Sequence, residues 1–136
     1  MSQRGQQLPT RIVRGDIVWT FDPFHALLQA FRDEEEFSID TGDPTEVDER
    51  PFLVVNKQNH PFDQEEFIAM LVTTKRRSQA LELRAEDFER GGMPQQSFLS
   101  PWVVGTIKKE FLTGFQGTIE ASRVDDAVRE VNRYIS

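Results

Sequence analysis

The feature that most constrains the fold is a succession of short apolar runs separated by turn-forming residues. Runs that predict β-strands cover residues 14–21, 52–56, 66–74, 81–88, 97–107 and 115–119. Residues 24–31 and 122–135 instead have apolar side chains at helical spacing, which predicts a short helix and a C-terminal helix. The pattern indicates a mainly β protein, a small antiparallel barrel with the C-terminal helix packed on it.

Two prolines make specific predictions about the strands. Because proline is disfavoured inside a strand, Pro51 predicts that the second strand begins after it, at Phe52. Pro101 predicts an edge or a bulge in the strand 97–107. The predicted strand at 66–74 is apolar on both faces from Phe67 to Val72, which predicts a central place in the sheet.

The last helix has its own start signal. Ser122 is the predicted N-cap, with Asp125 three residues later in a capping-box position. The predicted buried stripe consists of Val124, Ala127, Val128, Val131 and Ile135.

The charge is unevenly distributed along the 136 residues, whose net charge is −7. Nine acids lie within residues 33–49, and the rest of the chain has 23 − 9 = 14 acids against 16 lysines and arginines. We expect a flexible N-terminal tail at 1–13 and a single barrel domain at 14–136, with an acidic insertion at 24–49. Three interpretations of the insertion remain open: salt adaptation, a phosphate mimic folded over the basic residues, or a disordered loop.

The composition also limits the chemistry. The chain has no cysteine and two isolated histidines, His25 and His60, so we expect no disulfide, no metal site and no cofactor. No apolar run is long enough to span a bilayer, and the polar residues 1–7 do not resemble a signal peptide. We therefore expect a cytoplasmic protein with no membrane partner.

Arg50 is the first candidate functional residue. It lies at the predicted mouth of a strand, on a backbone that Pro51 stiffens. A fixed guanidinium there suits a bidentate grip on phosphate or carboxylate. The alternative is a surface salt bridge to Asp48 or Glu49.

Four segments in order resemble the MazF/PemK family of toxin endoribonucleases, also called mRNA interferases. They are Arg14–Trp19, Arg50–Val55, Leu71–Thr74, and Leu99–Val104 followed by Gly105–Ile107. The resemblance spans roughly residues 14–135. It implies an SH3-like barrel of the MazF/PemK/CcdB type, a homodimer, and metal-independent cleavage of single-stranded RNA. It also implies a 2′,3′-cyclic phosphate product, made by attack of a ribose 2′-hydroxyl, and a cognate antitoxin as partner.

On this resemblance, the family's catalytic arginine falls on Arg50 and its catalytic threonine on Thr73, with Thr74 as the fallback because a slip of one residue reverses the face. Arginine can offset the charge that builds on the phosphoryl oxygens and deliver a proton to the leaving oxygen. A threonine hydroxyl can position the phosphate by hydrogen bonding. Without the resemblance, Thr73 is equally an ordinary β-branched strand residue.

Several neighbours could assist. Lys75, Arg76 and Arg77 form either a phosphate track beside Thr73 or a solvated turn. Glu49 is a possible proton acceptor. Phe24, Phe62 and Phe98 could stack on bases if they lie outside the core. The rival hypothesis is a barrel of the same fold that has lost catalysis and acts as a binding or regulatory module, which the acidic insertion and the lack of a clear general base favour.

Overall fold

The computed structural model describes residues 6–21 and 49–135, so the predicted helix at 24–31 and almost all of the acidic insertion lie outside the described residues. The described residues form seven strands and one α-helix. They are β1 (Asp16–Phe21), β2 (Glu49–Val54), β3 (Glu66–Thr73), β4 (Leu81–Leu83), β5 (Phe88–Gly91), β6 (Ser97–Lys108), β7 (Leu112–Ile119) and α1 (Ala121–Ile135). Short 3₁₀ turns at Ala85–Asp87 and Lys109–Phe111 connect neighbouring strands.

All seven strands join one antiparallel sheet, in the order β4-β6-β3-β2-β1-β7-β5, which curls into a half-barrel. The prediction of a mainly β barrel-type fold with a C-terminal helix is confirmed. β3 has a strand on each side, as its two apolar faces predicted. No helix in the part of the chain that the structure describes is long and apolar enough to cross a membrane.

Both faces of the sheet are covered, because successive strand residues point to opposite sides. Ile17, Leu53 and Met70 belong to one core, against which the helix packs through Val124 and Ala127. The second core contains Val18, Phe52, Val54, Phe67 and Phe115. It also receives Ile12, which is 1% exposed, while Gln6 pairs with Phe115 of β7. Residues 6–12 therefore contact the sheet at two points.

The predicted start of the second strand is wrong, because β2 begins at Glu49 and Pro51 lies inside it. Pro51 pairs with Trp19 of β1, but the pairing of β2 with β3 begins only at Phe52. Among the described residues, one side of β2 therefore has no partner strand at Pro51, and a proline is tolerated there.

The predicted strand at 81–88 is also wrong, since it divides into β4, a 3₁₀ turn and β5. A local hydrogen-bond exchange causes the break. The backbone N–H of Arg84 donates to Asp87 Oδ2 at 2.8 Å, and the backbone N–H of Asp87 donates to the carbonyl of Arg84 at 3.0 Å. An aspartate that bonds the nearby backbone in this way competes with the ladder of a strand.

Around Pro101 the predicted irregularity is present. Met70 of β3 pairs with Val104, whereas Val72 pairs with Leu99, so β6 contains extra residues between these two pairs. Such bulges redirect side chains and commonly lie beside functional sites.

The helix starts one residue before Ser122, so the N-cap prediction is wrong. The carbonyl of Glu120 accepts hydrogen bonds from the backbone N–H groups of Arg123 and Val124, which places Ser122 in the first turn. Val124 and Ala127 are buried, and Val128 and Val131 pack against the same core, as predicted. Ile135, by contrast, is 77% exposed, because the stripe leaves the sheet before the helix ends.

Candidate active site

Arg50 and Thr73 both lie just beyond the last pair between β2 and β3, on the wall of one cavity. That pair is Phe52 with Leu71, and two further residues along each antiparallel strand lead to Arg50 and Thr73. Both residues line one cavity of about 300 Å³. The register of the sheet thus unites two residues that are 23 positions apart in the sequence.

The sheet holds Arg50 in place on its other side as well. Arg50 pairs with Thr20 of β1, next to the pair between Trp19 and Pro51. The residue is half-buried, and its Nε atom is buried. A guanidinium anchored in this way loses less conformational freedom when it binds an anion than one on a mobile loop.

Thr73 carries a hydroxyl with a defined orientation. Its Oγ1 accepts a hydrogen bond from the backbone N–H of Lys75 at 3.1 Å, so the hydroxyl proton can point toward a ligand. Thr74 is exposed and lines the same cavity, so it remains the alternative donor.

A second cavity of about 300 Å³ also includes Arg50, Thr73 and Thr74 in its lining. Lys75 and Arg77 line it too, whereas Arg76 lines neither this cavity nor the first. The structure therefore brings two of the three predicted RNA-binding cations to Arg50. No acidic residue is among the described residues that line this cavity, in a chain whose net charge is −7.

Glu49 reaches the first cavity from the start of β2. Its Oε2 accepts a hydrogen bond from the hydroxyl of Thr113 in β7 at 2.6 Å. This hydrogen bond orients the carboxylate at the edge of the cavity.

Two tryptophans that were not among the predicted site residues line the cavities. Trp19 lines the first cavity, and its indole Nε1 donates to Gln116 Oε1 at 2.8 Å. Trp102 lines the second cavity and is 41% exposed. Its position directly after Pro101, whose bulge was predicted, was the available signal.

Of the three phenylalanines proposed for base stacking, the two that the structure describes line neither cavity. Phe98 is 5% exposed and belongs to the interior, and Phe24 lies outside the described residues. Phe62 is 54% exposed, but it packs edge-on against His60 and lines neither cavity.

Among the described residues, the carboxyl whose pKa is shifted lies at the other end of β1. Asp16 is buried, and this burial raises its pKa above the usual 3.8, although hydrogen bonds from the Val13 backbone and the Thr118 hydroxyl oppose the rise. Within residues 6–21 and 49–135, no three carboxylate or histidine side chains are grouped so as to hold a metal ion.

No protein-family model matches the sequence, and no curated protein matches it significantly. Solved structures do match the fold. An endoribonuclease in complex with its cognate antitoxin, from a mycobacterial species, superimposes with a TM-score of 0.58 at 15% identity, covering 92% of this chain and 98% of that one. A mycobacterial endoribonuclease gives 0.58 at 13% identity, covering 96% and 99%. The Mycobacterium tuberculosis toxin MazF-mt6 gives 0.48 at 21% identity, covering 61% and 81%. This chain therefore has the same fold as the two mycobacterial endoribonucleases that it matches over most of its length.

Proposed function

We propose that this protein is a toxin-type endoribonuclease that cleaves single-stranded RNA without a metal ion. The observation that carries the proposal is the meeting of Arg50 and Thr73 in one cavity at the ends of β2 and β3. Two solved structures that share the fold over most of its length are endoribonucleases, which supports the same activity. One of them is bound to its antitoxin. A cognate antitoxin, a homodimer and a cytoplasmic site of action belong to the same proposal.

In the proposed reaction, a ribose 2′-hydroxyl attacks the adjacent phosphorus. The bond from phosphorus to the 5′ oxygen breaks, leaving a 2′,3′-cyclic phosphate on one fragment and a 5′-hydroxyl on the other. The 2′-hydroxyl proton passes to an acceptor, for which the Glu49 carboxylate is our candidate, and the 5′ oxygen takes up a proton.

Arg50 offsets the negative charge that develops on the phosphoryl oxygens, and Thr73 donates a hydrogen bond that fixes the phosphate. Because the sheet holds both residues before the substrate arrives, little reorganisation is needed at the moment of reaction. Lys75 and Arg77 contact neighbouring phosphates from the second cavity.

A non-catalytic binding module of the same fold is the alternative. The hydrogen bond between Thr113 and Glu49 favours it, because it engages one oxygen of the candidate proton acceptor. Only an activity measurement separates the two functions, since both need the same basic surface.

The test is to incubate the protein with a long single-stranded RNA in the presence of a chelator. We expect discrete fragments ending in a 2′,3′-cyclic phosphate, which mass spectrometry identifies. Arg50→Ala should lower the rate by about 10²- to 10³-fold, the usual cost of removing one transition-state donor. The matched control is Arg129→Ala, whose side chain is 72% exposed on the helix and lines neither cavity. Intact RNA with the wild type would support the binding module instead.

A further inference from the structure

Trp102 is a large, partly exposed apolar side chain on the wall of the second cavity. An indole is the largest apolar side chain, and 41% of this residue is accessible on the wall of the second cavity. Its ring centroid lies 6.1 Å from that of Tyr134, with the planes at 87°. This edge-to-face contact braces the indole from the end of the helix while leaving it accessible.

The same cavity has three cations and no acid among the described residues that line it. Arg50, Lys75 and Arg77 supply the positive charges, and Ser100 adds a hydroxyl. Aromatic rings interleaved with cations are the arrangement that holds single-stranded nucleic acid, because bases stack on the rings while phosphates contact the charges.

We propose that Trp102 is a base-stacking platform, a subsite for the nucleobase that neighbours the phosphate held by Arg50. This inference deepens the proposed function and rests on it for the identity of the ligand. A base within a duplex is already stacked on its neighbours and cannot lie on the indole. Trp102 therefore contributes a preference for unpaired RNA that phosphate contacts alone do not provide.

The probe is a 2′-O-methyl octanucleotide of random sequence, which binds as RNA does but has no 2′-hydroxyl to attack the phosphorus. We expect Trp102→Ala to weaken its binding about five- to 150-fold, the range for losing one stacked base, and Trp102→Phe to retain most of the affinity. Phe62→Ala is the matched control, because Phe62 is at least as exposed but lines neither cavity. Equal affinity of wild type and Trp102→Ala would overturn the inference.

A chain of eight abasic sugar phosphates isolates the contribution of the bases. The wild type should bind the octanucleotide more tightly than this base-free chain, and Trp102→Ala should lose that preference. Both proteins should bind the base-free chain with equal affinity, because it offers only phosphates. In wild-type protein labelled with 5-fluorotryptophan, the octanucleotide should shift the fluorine signal of Trp102, and the corresponding duplex should not. An unshifted signal would count against stacking without relying on any variant.

Light scattering tests the other occupant of this surface, a second copy of the chain. If Trp102→Ala dissociates an oligomer and the base preference persists, then Trp102 is an interface residue and the inference is wrong. Failure of the stacking inference can be distinguished from failure of the proposed endoribonuclease function. Cleavage by the wild type with no Trp102-dependent base preference would overturn the inference alone, whereas base preference without cleavage would overturn only the enzyme.

Discussion

Thr73 Oγ1 accepts a hydrogen bond from the backbone N–H of Lys75 at 3.1 Å, immediately after β3 ends. The bond fixes the threonine hydroxyl and turns the chain so that Lys75 follows Thr73 into the second cavity, which Arg50 also lines. One local hydrogen bond thus orients both the threonine hydroxyl that is proposed to bind the phosphate and the first cation beside it.

Thr73→Val should lower kcat/KM for RNA cleavage by about 10²- to 10³-fold, because valine keeps the shape but removes the donor. Thr73→Ser, which retains the hydroxyl, should stay within about tenfold of the wild type, a factor worth about 1.4 kcal/mol. The same assay on Thr74→Val distinguishes the two neighbouring threonines. A large loss with Thr74→Val and none with Thr73→Val would transfer the positioning role to Thr74.

Glu49→Gln should lower the rate of the chemical step by about 10²- to 10⁴-fold if its carboxylate takes the 2′-hydroxyl proton. Thr113→Val is the control, since it removes the 2.6 Å hydrogen bond to Glu49 but leaves the carboxylate. Its effect should be much smaller. Single-turnover rates across pH report both variants, and an unaltered rate and pH profile for Glu49→Gln would exclude it as the acceptor.

Removing Lys75 or Arg77 should reduce the salt dependence of RNA binding. For single-stranded RNA, each phosphate that the protein no longer neutralises lowers the slope of log K against log salt by about 0.7 in magnitude. Arg76→Ala has the same change of charge in the same turn, but Arg76 does not line the cavity, so its slope should stay near that of the wild type. Equal slopes for all three alanine variants would mean that only the net charge matters.

Asp16 predicts a pH-dependent stability. Burial raises the pKa of Asp16 in the folded protein above 3.8, so the folded state holds the proton more tightly than the unfolded state. The contribution of Asp16 to the free energy of unfolding is therefore largest below pH 3.8 and is lost as the pH rises through the raised pKa.

Asp16→Asn should remove this dependence while keeping an oxygen for the hydrogen bond from Val13. Urea unfolding of the wild type and of Asp16→Asn, from below pH 3.8 to neutral pH, measures this dependence of stability on pH. We expect the wild type to lose stability relative to Asp16→Asn as the pH rises through that window. A difference that stays constant with pH would contradict the prediction.

Gly91 and Gly92 make a matched pair for the packing of β5 on β7. Gly91 has φ +69°, and a Cβ there would lie 2.3 Å from the carbonyl oxygen of Gln116. Gly91→Ala should therefore cost about 2 kcal/mol or more, measured by urea unfolding, because left-handed geometry alone costs an alanine about 1–2 kcal/mol. Gly92→Ala should change little, since a Cβ there meets nothing within 4 Å. Similar losses of stability for both variants would show that β5 can move away from β7 to accommodate the added Cβ.

The pattern of apolar residues was sufficient to predict features that depend on a single strand or helix. The two apolar faces of residues 67–72 predicted a strand with a neighbour on each side, and the helical spacing of Val124, Ala127 and Val128 predicted the face that packs on the sheet. The break at Asp87 and the start of β2 before Pro51 were not predicted, because a side-chain hydrogen bond and a missing partner strand overrode the propensities.

The sequence by itself determined that the chain has short strands and one amphipathic C-terminal helix, because side-chain alternation and helical spacing are local properties. It also placed Arg50 and Thr73 among the candidates. Only the tertiary structure decided that these two residues line one cavity, that Thr113 donates a hydrogen bond to Glu49 across 64 positions, and that Trp102 shares a cavity with Arg50. Strand register is set by the burial of two cores at once, so it depends on contacts among all the strands.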